Sequence, residues 1–331
     1  MATAVGLDSF TWQDGERTIR FGRGAAAEAV GLLGGPGYIL LTTERAAGMA
    51  PGVADAAAAV HHVAGGLVDE IAAGLLGEVA GAERIVALGG GRVIDTAKAL
   101  AAAGGGRAMA VPTTLSGAEM TRGHRLPTGV EAARVRCAAV VNDPALSASQ
   151  PVDALAASAL NALGHAVEAP CTPRANPVAT LAALRSAELM AGAFAAAGPD
   201  RDALALGALL AGYSIDSAGY GLHHVLAQTL VRVAGAGHGP ANAILLPHTI
   251  GALAWRFPRQ HDALAAALGE DPAEAASRLR ELTGTVRLQD VGLRREDLVA
   301  CADAAAERSE LDSTPPRAGR AELLALLEHA C

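Results

Sequence analysis

The stretch from Arg84 to Lys98, R-I-V-A-L-G-G-G-R-V-I-D-T-A-K, constrains the fold more than any other part of the chain. A short apolar run, Ile85 to Leu88, meets three consecutive glycines, Gly89, Gly90 and Gly91. A helical pattern carrying Asp95 and Lys98 follows at once. That order reads as strand, tight turn and helix N-terminus. Glycines at such a turn permit unusual backbone angles and let a ligand approach the main chain closely. The free N–H groups and dipole of the following helix favour an anion, typically a phosphate. Taken alone, a glycine-rich turn serves equally well with no ligand, so the rest of the chain has to decide.

The neighbouring pattern extends this unit into a sheet. Residues 10–21 alternate around Asp14-Gly15, a hairpin signal. Apolar runs at 38–42, 60–63, 109–111 and 138–141 read as further strands, separated by helical patterns near 25–33, from Val53, at 67–79 and from the glycine turn to Ala103. Strands alternating with helices imply a parallel sheet covered on both faces, with ligands beyond the carboxyl ends of its strands. Polar clusters at 42–44, 89–92, 112–114 and 142–143 all fall at those ends. After Gln150-Pro151 the rhythm changes. Helical patterns dominate at 152–169, 177–196, 202–215, 217–232, 240–254, 258–268, 270–282, 295–308 and 320–330. We therefore expect an α/β domain over 1–150 and an all-helical domain over 151–331, a division that suits a chain of 331 residues.

Several function classes are set aside by composition. The formal net charge of −8 and the lack of a basic run give no electrostatic reason to bind nucleic acid. No apolar stretch is long enough to span a membrane. The N-terminus lacks the basic segment and apolar core of a signal peptide. Cys137, Cys171, Cys301 and Cys331 are scattered without disulfide-framework or C-x-x-C spacing, which fits a reduced cytoplasmic setting.

The chemistry points to the helical half. Asn161 and His165 are four residues apart and share one helix face, with Glu168 one turn further along it. His223-His224 opens another helical segment that carries Gln228, and His238 heads H-G-P-A-N-A-I-L-L-P-H. Imidazoles from three segments, His165, His224 and His238, can hold a divalent metal or handle protons near neutral pH. His61, His62, His124, His248, His261 and His329 read as isolated polar side chains.

Five motifs in order carry a resemblance. G-G-G-x-x-x-D-x-A-K at 89–98, P-T-T-L-S-G-A-E-M-T at 112–121, N-A-L-G-H-A-V-E at 161–168, G-L-H-H-V-L-A-Q-T-L at 221–230 and H-G-P-A-N-A-I-L-L-P-H at 238–248 are similar, in sequence and spacing, to the iron-containing alcohol dehydrogenase superfamily. F-G-R-G at 21–24, R-A-N-P-V at 174–178 and the doubled His223-His224 resemble its maleylacetate reductase-like branch. The resemblance implies an N-terminal Rossmann-like α/β domain and an all-α C-terminal domain, the dehydroquinate synthase-like fold. It implies an NAD(H)- or NADP(H)-dependent reductase of a small, carboxylated carbonyl or enoate substrate, working as a homodimer. Gly89, Gly90, Gly91 and Asp95, with Arg92 and Lys98 nearby, then bind the cofactor pyrophosphate. Thr113, Thr114, Leu115 and Gly117 line the nicotinamide side, and Thr42 and Thr43 the adenine-ribose end. Thr43 does not repel a 2′-phosphate whereas Glu44 does, so NAD and NADP both stay open. His165, His224, His238 and Gln228 become the catalytic set, and Arg122 or Arg125 pairs with a substrate carboxylate.

The metal site is where the chain departs from the pattern it resembles. Asn161 stands where metal-binding relatives have Asp, so the ligand set Asn161, His165, His224 and His238 lacks a carboxylate. A divalent iron or zinc ion is expected to be weakly held or absent. Gln228 replaces the second His of H-x-x-x-H, and Arg92 replaces a small Ser beside the phosphates. These departures leave a second reading: a biosynthetic enzyme on the same scaffold with non-redox acid–base chemistry such as elimination, cyclisation or isomerisation.

Overall fold

Gly15, at a positive φ of 61°, turns the chain between β1 (Ser9–Asp14) and β2 (Arg17–Gly22), which pair antiparallel. The structure is a computed structural model and describes residues 9–194 and 198–331. It divides into two compact units, Met1–Ser149 and Gln150–Cys331.

In the first unit the order is α1 (Ala25–Leu32), β3 (Ile39–Thr42), α2 (Glu44–Ala47), α3 (Pro51–Asp55), β4 (Ala59–His62), α4 (Val68–Leu75), β5 (Arg84–Gly89), α5 (Gly91–Gly104), β6 (Arg107–Pro112) and β7 (Ala139–Asn142). The seven strands form one sheet in the order β1-β2-β7-β6-β5-β3-β4, and every pairing except β1–β2 is parallel. Strands β5, β6 and β7 are buried almost end to end, as a sheet clad by helices on both faces demands. Leu40, Val86, Leu88, Met109, Val111 and Val141 pack with small alanines of α1 in one core. The chain runs outward from β3 to β4 and then returns to place β5 on the other side of β3. Strand order therefore reverses between β3 and β5, the crevice where open α/β sheets take ligands. Thr42 lies level with Leu88 there, one residue before Gly89.

The link between β6 and β7, residues 113–138, contains no helix or strand. Lys98, fully buried on α5, holds it. Its ammonium donates to the carbonyls of Ala118 (2.8 Å), Thr121 (3.0 Å) and Gly123 (3.1 Å) and pairs with Asp95 at 2.8 Å. Carbonyl and carboxylate oxygens thus occupy the donors of an ammonium that is otherwise costly to bury.

The second unit is helical: α6 (Val152–Glu168), α7 (Pro177–Gly192), α8 (Arg201–Ala218), α9 (Leu222–Ala234), α10 (His238–Arg256), α11 (Pro258–Leu268), α12 (Pro272–Glu281), α13 (Arg295–Ala306) and α14 (Arg320–His329). Its main core joins Leu222, Leu226 and Leu230 of α9 to Leu298, Leu323 and Leu327 of the last two helices. The expected break at residue 216 falls later. Asp216 to Ala218 continue α8, and the chain turns at Gly219 (φ 81°) and Gly221, so α9 begins at Leu222. Helix α7 ends at Gly192, and residues 195–197 of its expected span lie outside the described residues. Helix α10 begins at His238 rather than 240, which sets that histidine on its first turn. Among the described residues no helix is long and apolar enough to cross a membrane. All four cysteines are free, and Cys137, Cys171 and Cys301 are buried.

Candidate active site

The first unit holds the glycine turn. None of Gly89, Gly90 and Gly91 has a positive φ, which corrects the expectation that unusual backbone angles call for glycine here. The requirement is space. A Cβ on Gly89 would meet Val93 Cγ2 at 2.8 Å, one on Gly90 the Thr114 side chain at 3.0 Å, and one on Gly91 Ser116 Cβ at 3.0 Å. The turn and the start of the 113–138 link are therefore packed as one piece, with Thr113 bonded to Gly89 and with Thr114 and Ser116 against Gly90 and Gly91, while Leu115 is buried. Gly117 differs, because its φ of 69° is left-handed and suits glycine conformationally. The N-cap residue of α5 is Gly90, which has no side chain to cap the leading N–H groups, the groups that suit an anion. The Thr113 hydroxyl is buried without a hydrogen-bond partner, while its backbone N–H donates to the Gly89 carbonyl at 2.9 Å.

The remaining residues expected to bind cofactor have differing surroundings. Arg92 is exposed on the first turn of α5. Thr42 is buried and donates its hydroxyl to the Leu88 carbonyl at 2.8 Å, tying β3 to β5. Thr43 caps α2 by accepting from the Ala46 N–H at 3.3 Å. Asp95 and Lys98 are committed to each other and, through Lys98, to the link. Arg122 and Arg125 are both exposed.

The second unit, taken by itself, holds a histidine cluster. Asn161 and His165 lie on α6 and are 5% and 8% exposed. The His165 ring stacks on His224 with centroids 4.7 Å apart and planes 23° from parallel. His223 lies edge-on to His224 at 4.9 Å, and the Tyr220 ring is 5.9 Å from it. Gly164 makes this approach feasible, since a Cβ there would fall 2.8 Å from His223 Nε2. His238 sits exposed on the first turn of α10, and the Asn242 amide reaches its ring at 3.4 Å. Burial drives these imidazoles toward the neutral form: His223 and His224 are pushed down to about 3, and His165 falls well below the usual imidazole value. Mutual repulsion, including that from His238, adds to the effect.

Two polar groups complete the cluster. Glu168, one turn beyond His165 and 1% exposed, accepts from the backbone N–H groups of Gly221 (3.2 Å), His223 (2.7 Å) and His224 (3.2 Å). It also meets His224 Nδ1 at 2.5 Å. Gln228 accepts from Arg308 at 2.9 Å, and Arg308 also pairs with Glu310 at 2.6 Å and approaches the Tyr220 hydroxyl at 3.3 Å. Gln228 is thus engaged with a guanidinium rather than with the imidazoles. Shared helix face gave Glu168 a sequence signal, but nothing near Arg308 in sequence marks it as a neighbour of Gln228.

The donor set does not fit a tightly held cation. Among the described residues no three His, Cys, Asp or Glu side chains are placed to hold one. Asn161 offers only a neutral amide, and the Glu168 carboxylate faces the N-terminus of α9.

A doubly wound sheet unit with a phosphate-competent turn, followed by a helical unit with clustered histidines, defines a class, and comparison with known proteins supplies the family. Residues 155–331 match the Fe-containing alcohol dehydrogenase family, C-terminal, and residues 43–121 match Iron-containing alcohol dehydrogenase. The chain belongs to the iron-containing alcohol dehydrogenase family. Maleylacetate reductase 1 of Rhodococcus opacus is 36% identical over 176 residues, 51% of this chain and 49% of that protein. The chain spans about half the length of the curated relatives it matches. Structural likeness runs further. The crystal structure of maleylacetate reductase from Agrobacterium tumefaciens superposes with a TM-score of 0.82 at 28% identity, covering 97% of each chain. An iron-containing alcohol dehydrogenase from Corynebacterium glutamicum gives 0.82 at 28% identity, covering 94% of each.

Proposed function

We propose that this protein is a nicotinamide-dependent reductase of a small, carboxylated carbonyl or enoate substrate, close in specificity to maleylacetate reductase. The observation that carries the reading is the Gly89–Gly91 turn leading into the glycine-capped N-terminus of α5 at the reversal point of the sheet. A dinucleotide pyrophosphate is the anion such a crevice suits. The N–H groups of the Gly89–Gly91 turn face the phosphates, Arg92 supplies a charge beside them, and the Thr113 hydroxyl offers a hydrogen bond.

The reduced nicotinamide, when bound, supplies a hydride. The histidines orient the reacting oxygen. A neutral imidazole that keeps its outward N–H polarises a carbonyl by hydrogen bonding without burying a cation, and burial holds His165 in that neutral form. His238, exposed at the rim of the cluster, is the member best placed to exchange protons with solvent. Catalysis runs without a tightly held metal, because the ligand set lacks a carboxylate.

The test is oxidation of NADH and of NADPH with maleylacetate as acceptor, on protein dialysed against a chelator. Turnover with at least one cofactor is expected, with metal content far below stoichiometric by mass spectrometry. No turnover with either would refute the substrate assignment. A failure of both cofactors to bind would refute the redox reading and favour acid–base chemistry.

A further inference from the structure

The geometry points to Glu168 as a positioning residue that fixes the proton of His224 on Nδ1 and so presents a bare Nε2 lone pair to the reacting cluster. This rests on the reading that His224 belongs to that cluster.

The fold itself supplies the argument. The Glu168 oxygens are saturated from one side: Oε1 accepts from the N–H of Gly221 and His223, and Oε2 from that of His224. All three donors belong to the start of α9, where N–H groups have no partner within the helix. A carboxylate at a helix N-terminus is also stabilised by the helix dipole. Burial raises the Glu168 carboxyl, and these N–H groups oppose that rise. An acceptor in this position can take only a donor from His224 Nδ1, 2.5 Å from Oε2. The neutral ring then has no proton left for Nε2, which is buried without a hydrogen-bond partner. Stacking on His165 and the neighbouring Tyr220 ring keep the imidazole from turning over. His224 is therefore the acceptor of the cluster, and hydrogen-bond donation to the reacting oxygen falls to His165 and His238. The carboxylate that faces His224 orders that histidine's proton rather than adding charge to a ligand shell.

The experiment reads the tautomer directly in the full-length, 15N-labelled protein at neutral pH. Long-range 1H–15N spectra distinguish the two neutral forms, and His224→Gln identifies the His224 signals. Wild type is expected to show the Nδ1–H form. In Glu168→Gln the amide oxygen can still accept from Gly221 and His223, while its NH2 group donates to His224 Nδ1. The form is then expected to switch to Nε2–H, with kcat falling roughly 10–100-fold and KM for the cofactor unchanged. A wild-type Nε2–H form overturns the inference, and so does Glu168→Gln that retains Nδ1–H, since a helix cap alone would leave the tautomer as it was. The wild-type spectrum decides the matter even if the variant misfolds. It needs no substrate, so loss of the reductase reading and loss of this inference are separately visible.

Discussion

Burial pushes the Glu119 carboxyl up to about 7 from an ordinary 4.5, although Lys98 and Arg17 pull it down. Its Oε2 is buried without a hydrogen-bond partner. Between those two values the folded protein holds a proton that the unfolded chain has released. Stability therefore falls as pH rises through the window, and the full cost, on the order of 3 kcal/mol, is present above it. Glu119→Gln is expected to unfold at higher urea than wild type near pH 8 and at the same urea near pH 4. Equal midpoints near pH 8 would mean that the charge is compensated. Arg92 supports a second expectation. It is exposed on the first turn of α5, and on the proposed function it pairs with a cofactor phosphate, so Arg92→Ser should weaken cofactor affinity by roughly tenfold in calorimetry. Tighter binding by the serine variant would show that the arginine crowds the phosphates. The histidines were legible from spacing and resemblance. Gln228's partner was not, because Arg308 reaches it across 80 residues of sequence. Nor was the reason for the glycines, since close approach to Thr114 and Ser116 depends on a link whose path no local pattern specifies.

At the scale of elements, the start of α9 governs the cluster. Three of its N–H groups rest on Glu168, and the Leu222 N–H donates to Thr314 Oγ1 at 3.0 Å. A Cβ on Gly221 would fall 2.0 Å from that same oxygen. Gly221→Ala must therefore displace Thr314 and strand the Leu222 N–H, at about 1–3 kcal/mol. Thermal unfolding should register the loss, and kcat should fall further than stability alone explains, because His223 and His224 move with the helix end. Unchanged kcat would show that the helix start tolerates the shift. Most helices and strands were legible because apolar periodicity recorded burial. The α8–α9 break was displaced because Asp216 to Ala218 satisfy a helical pattern, and only the left-handed Gly219 ends it.

For the whole molecule, two units with separate cores make a single unfolding transition an assumption to be tested. On the proposed function the first unit binds the cofactor pyrophosphate, and binding confined to it is expected to stabilise that unit by about 2.7 kcal/mol at a hundredfold excess over Kd. Calorimetry should then move one transition and leave the other, if the units melt independently. A single transition that shifts as a whole would show that they unfold together.

The four free cysteines turn this question into one of chemical access. Burial pushes the thiols of Cys137 and Cys171 to about 12 and that of Cys301 to about 11, so the native protein offers an alkylating reagent little beyond Cys331. Cys137 lies in the first unit, and Cys171 and Cys301 in the second. Each half of the molecule thus carries its own latent label, silent while packed and reactive once opened. The peptide that gains mass in a timed alkylation names the half that has come apart.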